Sequence, residues 1–325
     1  MHVELLVPGL IPRQDPFDLL PRMPALELLM ARGRATRDEP CPLERWLGRA
    51  FGLQETAVPA GALTALAHGL EPGEACWLRA DPVHFQTRHS HLAFLRAGEL
   101  ELSREEADAL AESIGRHFGE AFALRAVEPK RWCLRAAAPV ALQAEPPVEL
   151  SGRDVDSNLP RGPDAARWHA VLNELQMLLH DHPVNDAREQ RGAPAINSLW
   201  LWGAGTLPRE ARAPWQSIAA NDPVALGFAR LSGARHAPDA HEWRATAASE
   251  GRHLVVLDVL RATPHSDRYR ELEERWFAPL LAALRAERIG MVTLHVPDAG
   301  ISFETVRGDL RRFWRRAQPL ASYAA

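Results

Sequence analysis

A long amphipathic helix followed by a buried strand, in the middle of the sequence, constrains the fold more than any other stretch. One face of the helix carries apolar residues at three- and four-residue spacing, namely Trp168, Leu172, Leu175 and Leu179. Pro183 ends this helix, because proline lacks an amide hydrogen and disfavours the helical conformation in the residue before it. The polar segment 186–193 predicts a loop. The apolar run 196–202 then predicts a strand buried on both faces, which closes on Gly203 and Gly205.

Strands and helices alternate on either side of this stretch. Apolar runs predict strands at 2–7, 217–220, 253–260 and 289–296. Helices are predicted to begin at Pro24 and Pro223 and to span 267–285 and 304–316. In the helix 267–285 the predicted buried stripe consists of Tyr269, Leu272, Trp276, Leu280 and Leu284. This alternation is typical of an α/β fold, in which helices cover both faces of a doubly wound, mostly parallel sheet.

A smaller α+β domain is predicted to interrupt this core. Ser103 and Glu106 form a capping box, and the helix that they open presents one apolar face, made of Ala107, Leu110, Ala111, Ile114 and Phe118. Strands are predicted around it at 74–79, 91–96, 122–127 and 131–137, before a proline-rich connection at 139–147. We therefore predict a core made of 1–74 and 186–325, with an inserted domain at 75–185.

Charge and composition limit the classes of partner. The 325 residues carry a formal net charge of −4, which argues against a nucleic-acid partner. No apolar run reaches the ~18 residues of a membrane span, and three isolated cysteines suggest no disulfide framework. The N-terminus lacks the basic start and apolar core of a signal peptide. A cytoplasmic protein without membrane contact is therefore predicted.

The stretch around Pro183 also carries a family resemblance. His-Pro-Val-Asn at 182–185 is followed by Arg188, Gly192, Pro-Ala-x-Asn at 194–197 and Trp-Gly-x-Gly at 202–205. This combination resembles the archaeal-type, cofactor-independent phosphoglycerate mutases of the alkaline phosphatase superfamily. The resemblance implies that the core is alkaline phosphatase-like.

Ligands of open α/β sheets bind beyond the carboxyl ends of the strands. We expect Gly9, Gly203 and Gly205 to meet there, because each closes a predicted core strand. Trp200 and Trp202 should share one face of their strand. The candidate pocket residues, most of which the resemblance implies, are Gly9, His180, His182, Asn185, Arg188, Asn197, Trp202, Gly203 and Gly205.

The catalytic groups of the superfamily have no counterpart in the matching positions. There, the resemblance implies, the first strand ends in Asp-Gly, whose Asp holds a metal, and a Ser or Thr nucleophile follows. Here Pro8-Gly9 takes the place of that dipeptide, and no Ser or Thr occurs between Arg37 and Gln54. Cys41 could replace the nucleophile, but without a local His or a preceding helix N-terminus a structural thiol is favoured. No catalytic residue is predicted.

The later metal ligands of the family are also displaced. The matching segments hold Asp258, His265, His295 and Asp298, in shifted positions and without the family's Asp-His pair. These four are residual candidates for a single metal; the alternative is that they bond to backbone and cap helices. Two divalent ions need several converging carboxylates. No cofactor is therefore predicted, with Mn or Zn as the alternative.

The interpretation is a catalytically degenerate phosphoglycerate mutase-like protein with a binding or regulatory role. Its partner would be a small phosphorylated or anionic ligand, or another protein; the oligomeric state is left open. Some bacterial proteins that share the Trp-Leu-Trp-Gly pattern at 200–203 carry a label as regulators of pathogenicity factors, which is a resemblance only. The alternative is an active metal-dependent mutase or phosphatase with relocated ligands. The run 311–316 is interpreted as a solvated terminal helix with Phe313 and Trp314 facing inward, a nucleic-acid or membrane role being the alternative.

Overall fold

The computed structural model describes residues 1–11, 20–54, 57–88, 91–150, 155–237, 242–243, 250–262 and 265–323. Its elements, in chain order, are β1 (His2–Leu6), α1 (Pro24–Arg32), β2 (Arg34–Arg37), α2 (Leu43–Ala50), α3 (Ala60–Ala67), β3 (Trp77–Arg88), β4 (His91–Leu95), α4 (Arg104–Phe118), β5 (Phe122–Glu128), β6 (Arg131–Ala136), α5 (Ala165–His180), α6 (Pro183–Gln190), β7 (Ser198–Gly205), β8 (Ser217–Ala219), α7 (Pro223–Ser232), β9 (Arg235–Ala237), β10 (Arg252–Val256), α8 (Val259–Ala262), α9 (Ser266–Leu272), α10 (Ala278–Arg285), β11 (Met291–Val296) and β12 (Ile301–Val306). Contacts divide the chain into unit 1, made of Met1–Gln54 and Glu210–Ala325, and unit 2, made of Glu55–Arg209.

Unit 1 is built on a seven-stranded, mostly parallel sheet. The strand order is β2-β12-β11-β1-β10-β8-β9. β1 lies parallel to β10 and β11, and β8 lies parallel to β10 and β9. Only β12 is antiparallel, to β11 and β2. The predicted doubly wound α/β core is confirmed.

Helices cover both faces of this sheet because its strands alternate side chains between two layers. Val3 and Leu5 of β1 pack into the core formed with α1, α9 and α10. The opposite face carries His295, against which Trp46 of α2 packs with a ring separation of 4.9 Å. Each fully buried aliphatic side chain contributes roughly 1.5–3 kcal/mol of transfer free energy. All five residues of the predicted stripe on the helix 266–285 are buried, as predicted. That helix contains one π-helical stretch, Glu273–Phe277, between α9 and α10.

Two predicted elements of unit 1 are wrong. The segment 304–316 is not a helix: Ile301–Val306 forms β12, a short 3-10 turn follows at Arg307–Arg311, and Phe313 and Trp314 are 78% and 67% exposed. Gly300, at a left-handed φ of 61°, reverses the chain after β11, and the alternating burial of β12 fits a strand. The strand predicted at 253–260 ends at Val256, because α8 begins at Val259.

Unit 2 contains an antiparallel sheet in the order β4-β3-β6-β5, with β7 paired to β3 as well. α4 and α5 supply their predicted faces to its main core, and every one of those apolar residues is buried. The capping box at Ser103 is formed as predicted. The loop predicted at 186–193 is wrong, since α6 occupies Pro183–Gln190. Pro183 takes the first helical position, where a missing N–H costs nothing, and His182 caps the helix.

The units divide at 54/55 and 209/210, whereas the sequence places the domain boundaries at 74/75 and 185/186. The reason is the pairing of β7 with β3, which draws 186–209 into unit 2. At the other boundary, α3 lies against β3 so closely that a Cβ on Gly61 would meet the Leu78 backbone at 2.5 Å. In the part of the chain that the structure describes, no helix is long and apolar enough to cross a membrane.

Candidate functional site

The carboxyl ends of the parallel strands of unit 1 bring acidic residues to one edge of the sheet. Gly9 follows β1, Asp222 follows β8, Asp258 follows β10 and Asp298 follows β11. Open α/β sheets bind ligands at this edge. These residues, with Glu44 and Arg261, form what we call the strand-end cluster. Asp222, Glu44 and Arg261 are site residues that the sequence reasoning missed.

Asp298 is held by the backbone that follows β1. Both of its carboxylate oxygens accept from the Gly9 amide, at 3.1 Å each, and the Tyr269 hydroxyl donates to the Gly9 carbonyl at 3.3 Å. Gly9 has a φ of +79°, and a Cβ there would lie 3.0 Å from the Leu260 carbonyl oxygen. A glycine is therefore required at this position, and its amide donates to the Asp298 carboxylate.

The cation of the strand-end cluster is an arginine. Arg261 donates two hydrogen bonds to the Glu44 carboxylate, at 2.8 and 2.7 Å, and both side chains are about nine-tenths buried. Asp222 accepts from the Ala225 amide at 2.9 Å as the N-cap of α7. Burial, with the neighbouring Glu44 and Asp258 carboxylates, raises the pKa of Asp222 to about 6. One guanidinium thus faces a group of three carboxylates.

Replacing Asp222 with asparagine is expected to stabilise the folded protein at pH 7 by roughly 1–3 kcal/mol. Asparagine is an equally good N-cap and carries no charge. The folded-state pKa of about 6 lies above the ordinary value of 3.8, so the folded state binds more protons between these values. The contribution of Asp222 to the stability of the wild type should therefore fall as the pH rises from about 4 to about 6, and stay level above that.

Urea unfolding of both proteins across this pH range measures the effect. The advantage of the asparagine variant should disappear below about pH 4, where Asp222 is protonated in the folded and unfolded states alike. An advantage that does not change with pH would contradict the explanation by charge.

The four residual metal candidates have other partners or stand apart. His295 Nδ1 lies 2.9 Å from Ser302 Oγ, and His295 Nε2 lies 3.5 Å from Glu4. Burial opposes ionisation of Glu4, but His295 and Arg252 outweigh it and lower the pKa of Glu4 to about 2. His265 caps α9 by accepting from the Asp267 amide at 3.4 Å. Among the described residues, no three His, Cys, Asp or Glu side chains form a group that could hold a metal ion.

The partners of these carboxylates show whether the cluster could bind two metal ions, as the alkaline phosphatase superfamily does. Glu44 is bonded to a guanidinium, Asp298 to an amide and Asp222 to a helix end, while Pro8 offers no side-chain oxygen. A pair of divalent ions needs several carboxylates free to converge on it. The residues present therefore do not fit a two-metal site.

Cys41 has the environment of a structural thiol. It is buried, and burial raises the pKa of its thiol, so the neutral form dominates at pH 7. Its amide donates to the Pro297 carbonyl at 2.9 Å, which ties the start of α2 to the end of β11. Nucleophilic cysteines need the opposite shift.

The His-Pro-Val-Asn motif in unit 2 binds backbone. Asn185 is 2% exposed; its amide nitrogen donates to the carbonyls of Leu179 and Ile196, at 2.7 and 2.8 Å, and its oxygen accepts from the Ile196 amide at 2.8 Å. His182 Nε2 lies 2.9 Å from Ser113 Oγ, and burial lowers the pKa of this histidine. His180, by contrast, lies on the surface with its side chain 85% exposed.

Arg188 and Asn197 complete the same pattern. Arg188 is fully buried and donates to the carbonyls of Pro194 and Glu101, at 2.8 and 2.7 Å, and to the Glu106 carboxylate at 2.9 Å. Asn197 bonds both the amide and the carbonyl of Phe85, at 2.7 and 2.9 Å. These predicted pocket residues therefore join α5, α6 and β7 to the rest of unit 2.

Trp202 also belongs to a buried polar group. Its indole N–H donates to Asp81 at 2.7 Å, and the Arg79 guanidinium lies 5.3 Å from its ring. Trp200 and Trp202 are both buried. The prediction that Gly9, Gly203 and Gly205 close strands of one sheet is wrong. Gly203 and Gly205 lie within β7 of the antiparallel sheet, where Gly203 approaches Ala60 of α3.

Comparison with known proteins adds the following relationships. The family model described as 2,3-bisphosphoglycerate-independent phosphoglycerate mutase matches residues 53–185. A probable enzyme of that name from Geobacter sulfurreducens is 39% identical over 66 residues, which cover 20% of this chain and 16% of the relative. The enzyme from Methanosarcina mazei is 27% identical over 210 residues, which cover 58% of this chain and 49% of the relative. The chain thus matches at most about half the length of these two relatives.

The fold has a counterpart among solved structures. The PH0037 protein from Pyrococcus horikoshii matches with a TM-score of 0.56 at 14% identity, over 94% of this chain and 87% of that one. At this identity the match is evidence of a similar fold only. The segment that the family model matches, 53–185, lies almost entirely in unit 2. The strand-end cluster lies in unit 1.

Proposed function

We propose that this chain, a relative of the archaeal-type, cofactor-independent phosphoglycerate mutases, is a catalytically degenerate protein with a binding or regulatory role. The observation that carries the proposal is the pairing of Arg261 with Glu44 in the strand-end cluster. A guanidinium fixed among buried carboxylates neutralises part of the charge that would attract a metal ion. It also repels a divalent cation brought within a few ångströms.

The loss extends to the other groups that the reaction needs. Pro8 takes the place of the Asp expected before Gly9, and no Ser or Thr occurs between Arg37 and Gln54 to act as a nucleophile. Metal activation supplies several kcal/mol of transition-state stabilisation. Ordinary mutase turnover should therefore be absent. A protein partner is the favoured object of recognition, because a small anionic ligand at the strand ends would face several carboxylates and a single guanidinium.

The experiment is a metal analysis and an activity assay of the purified chain, with the Methanosarcina mazei mutase as positive control. We expect less than one Mn or Zn per chain, and no interconversion of 2- and 3-phosphoglycerate above the protein-free background with added Mn²⁺. Mn²⁺-dependent interconversion that is lost in Asp258→Ala or His295→Ala would overturn the proposal. It would show an active enzyme with relocated ligands.

A further inference from the structure

We propose that the edge strand β2 and the neighbouring segment 311–316 form a docking surface for an acidic, extended segment of a partner protein. We call this surface the arginine–aromatic patch; it consists of Arg34, Arg37, Arg311, Phe313, Trp314 and Arg316. The patch lies entirely within unit 1. The proposal does not depend on whether the strand-end cluster has lost its activity.

The aromatic rings of the patch point into solvent and are held there. Phe313 and Trp314 are 78% and 67% exposed and contact each other edge to face, with ring centroids 5.3 Å apart. The arginines beside them anchor the backbone: Arg312 donates to the Arg32 carbonyl at 3.1 Å, and Arg315 donates to the Gly33 carbonyl at 2.9 Å. Exposed Trp beside Arg is the composition of an interface hot spot.

The strand next to these rings is an open edge. β2 is the outermost strand on its side of the seven-stranded sheet, and among the described strands it pairs only with β12. All four of its side chains are exposed. An edge strand offers backbone N–H and C=O groups to an extended peptide, which can add itself as a further strand.

The charge of the patch selects an acidic occupant. Arg34, Arg37, Arg311 and Arg316 are exposed, and none has an ion-pair partner among the described residues. Among the described residues, the acidic side chains near the patch are four: Asp309 pairs with Arg312 at 2.8 Å, and Glu304 lies opposite Arg34 in the strand register. Asp38 and Glu39 follow Arg37 in the chain, and Glu39 pairs with Arg49. Carboxylates of an added strand would therefore meet unpaired guanidinium groups.

The open edge also distinguishes a peptide from other anions. A nucleic acid could stack bases on Phe313 and Trp314 but could not pair with β2. The chain as a whole carries a formal net charge of −4, which opposes a long polyanion. An acidic peptide uses the aromatic rings, the arginines and the edge together.

The test measures fluorescence anisotropy of a labelled peptide of about ten residues, alternating Glu and Val, with the full chain. We expect saturable binding, weakened about tenfold or more in Phe313→Ala/Trp314→Ala and in Arg311→Glu/Arg316→Glu. A peptide with Pro at two central Val positions should bind about tenfold more weakly, because proline cannot donate to the edge. The matched control is Arg125→Glu/Arg135→Glu, which makes the same charge change at exposed positions of unit 2 and should bind as the wild type does.

All four substituted positions of the patch variants are exposed, so their unfolding temperatures should match the wild type. Equal binding by the wild type and Arg311→Glu/Arg316→Glu would overturn the proposal. So would absence of saturable binding, or tighter binding of single-stranded DNA or anionic lipid vesicles than of the acidic peptide.

Discussion

Replacing Asn185 with alanine is expected to destabilise unit 2 by roughly 3–5 kcal/mol. The side chain is 2% exposed and makes three hydrogen bonds to the backbone of Leu179 and Ile196. Alanine leaves the amide and the carbonyl of Ile196 without this partner, and each buried group left so costs about 1–3 kcal/mol. The Leu179 carbonyl loses one donor but keeps the amides of Asp181 and His182. Asn185 joins Leu179, near the end of α5, to Ile196, which precedes β7. We therefore expect both elements to lose protection from hydrogen exchange together.

Urea unfolding followed by tryptophan fluorescence gives the loss, and hydrogen exchange at Ile196 and in the last turn of α5 locates it. Asn173→Ala, at an exposed position of α5, is the matched control and should change stability by less than about 0.5 kcal/mol. Asn185→Asp keeps the acceptor but loses both donors, so it should also destabilise. If Asn185→Ala unfolds as the wild type does, these bonds do not hold unit 2 together.

Replacing Arg261 with alanine should destabilise unit 1 by roughly 3–5 kcal/mol, the usual cost of removing one partner from a buried ion pair. Glu44 would remain buried beside Asp222 and Asp258 without the guanidinium that balances their charge. The double variant Arg261→Ala/Glu44→Gln removes the orphaned charge as well. We expect it to recover part of the loss, which a double-mutant cycle measures as a coupling between the two positions.

The control is Arg270→Ala, which breaks an exposed ion pair with Asp267 that is 2.7 Å long. Exposed pairs contribute about 0–1 kcal/mol, so this change should be small. A coupling near zero between Arg261 and Glu44 would refute the role of arginine as the counter-charge of the strand-end cluster. It would also remove the main support for a degenerate site.

The elements with strong periodicity are those that the sequence predicts well. The buried faces of α4 and α5 follow from residue spacing alone, because a helix can bury only one stripe against its sheet. β12 is missed because Glu304 and the arginines after it resemble a helix surface, while its burial depends on pairing with β11. The extent of unit 2 is missed for a similar reason, since a buried strand such as β7 does not reveal its neighbour.

In the candidate site, residue types alone do not predict which side chains lie next to each other. Asp222 is recognisable as an N-cap, but its raised pKa comes first from burial and then from Glu44 and Asp258, which are distant in sequence. Glu44 and Arg261 are separated by 217 positions, and nothing in either segment indicates the pairing. The Asn185 and Arg188 motif is recognisable as a pattern, yet the pattern does not tell whether its polar atoms bind a ligand or the protein's own backbone.

The π-helical stretch Glu273–Phe277 places Glu273 against the first turn of α1. Glu273 accepts from the amides of Ala25 and Leu26, at 2.6 and 3.2 Å, and so completes the first turn of α1, which has no side-chain cap of its own. Each residue of an α-helix advances the chain by roughly 100° around the axis. Removing one residue here would restore a regular helix and rotate 266–272 away from α1. A deletion in this helix should therefore be tolerated only together with a new capping residue at Met23. The two positions, about 250 residues apart in the chain, are then expected to change together.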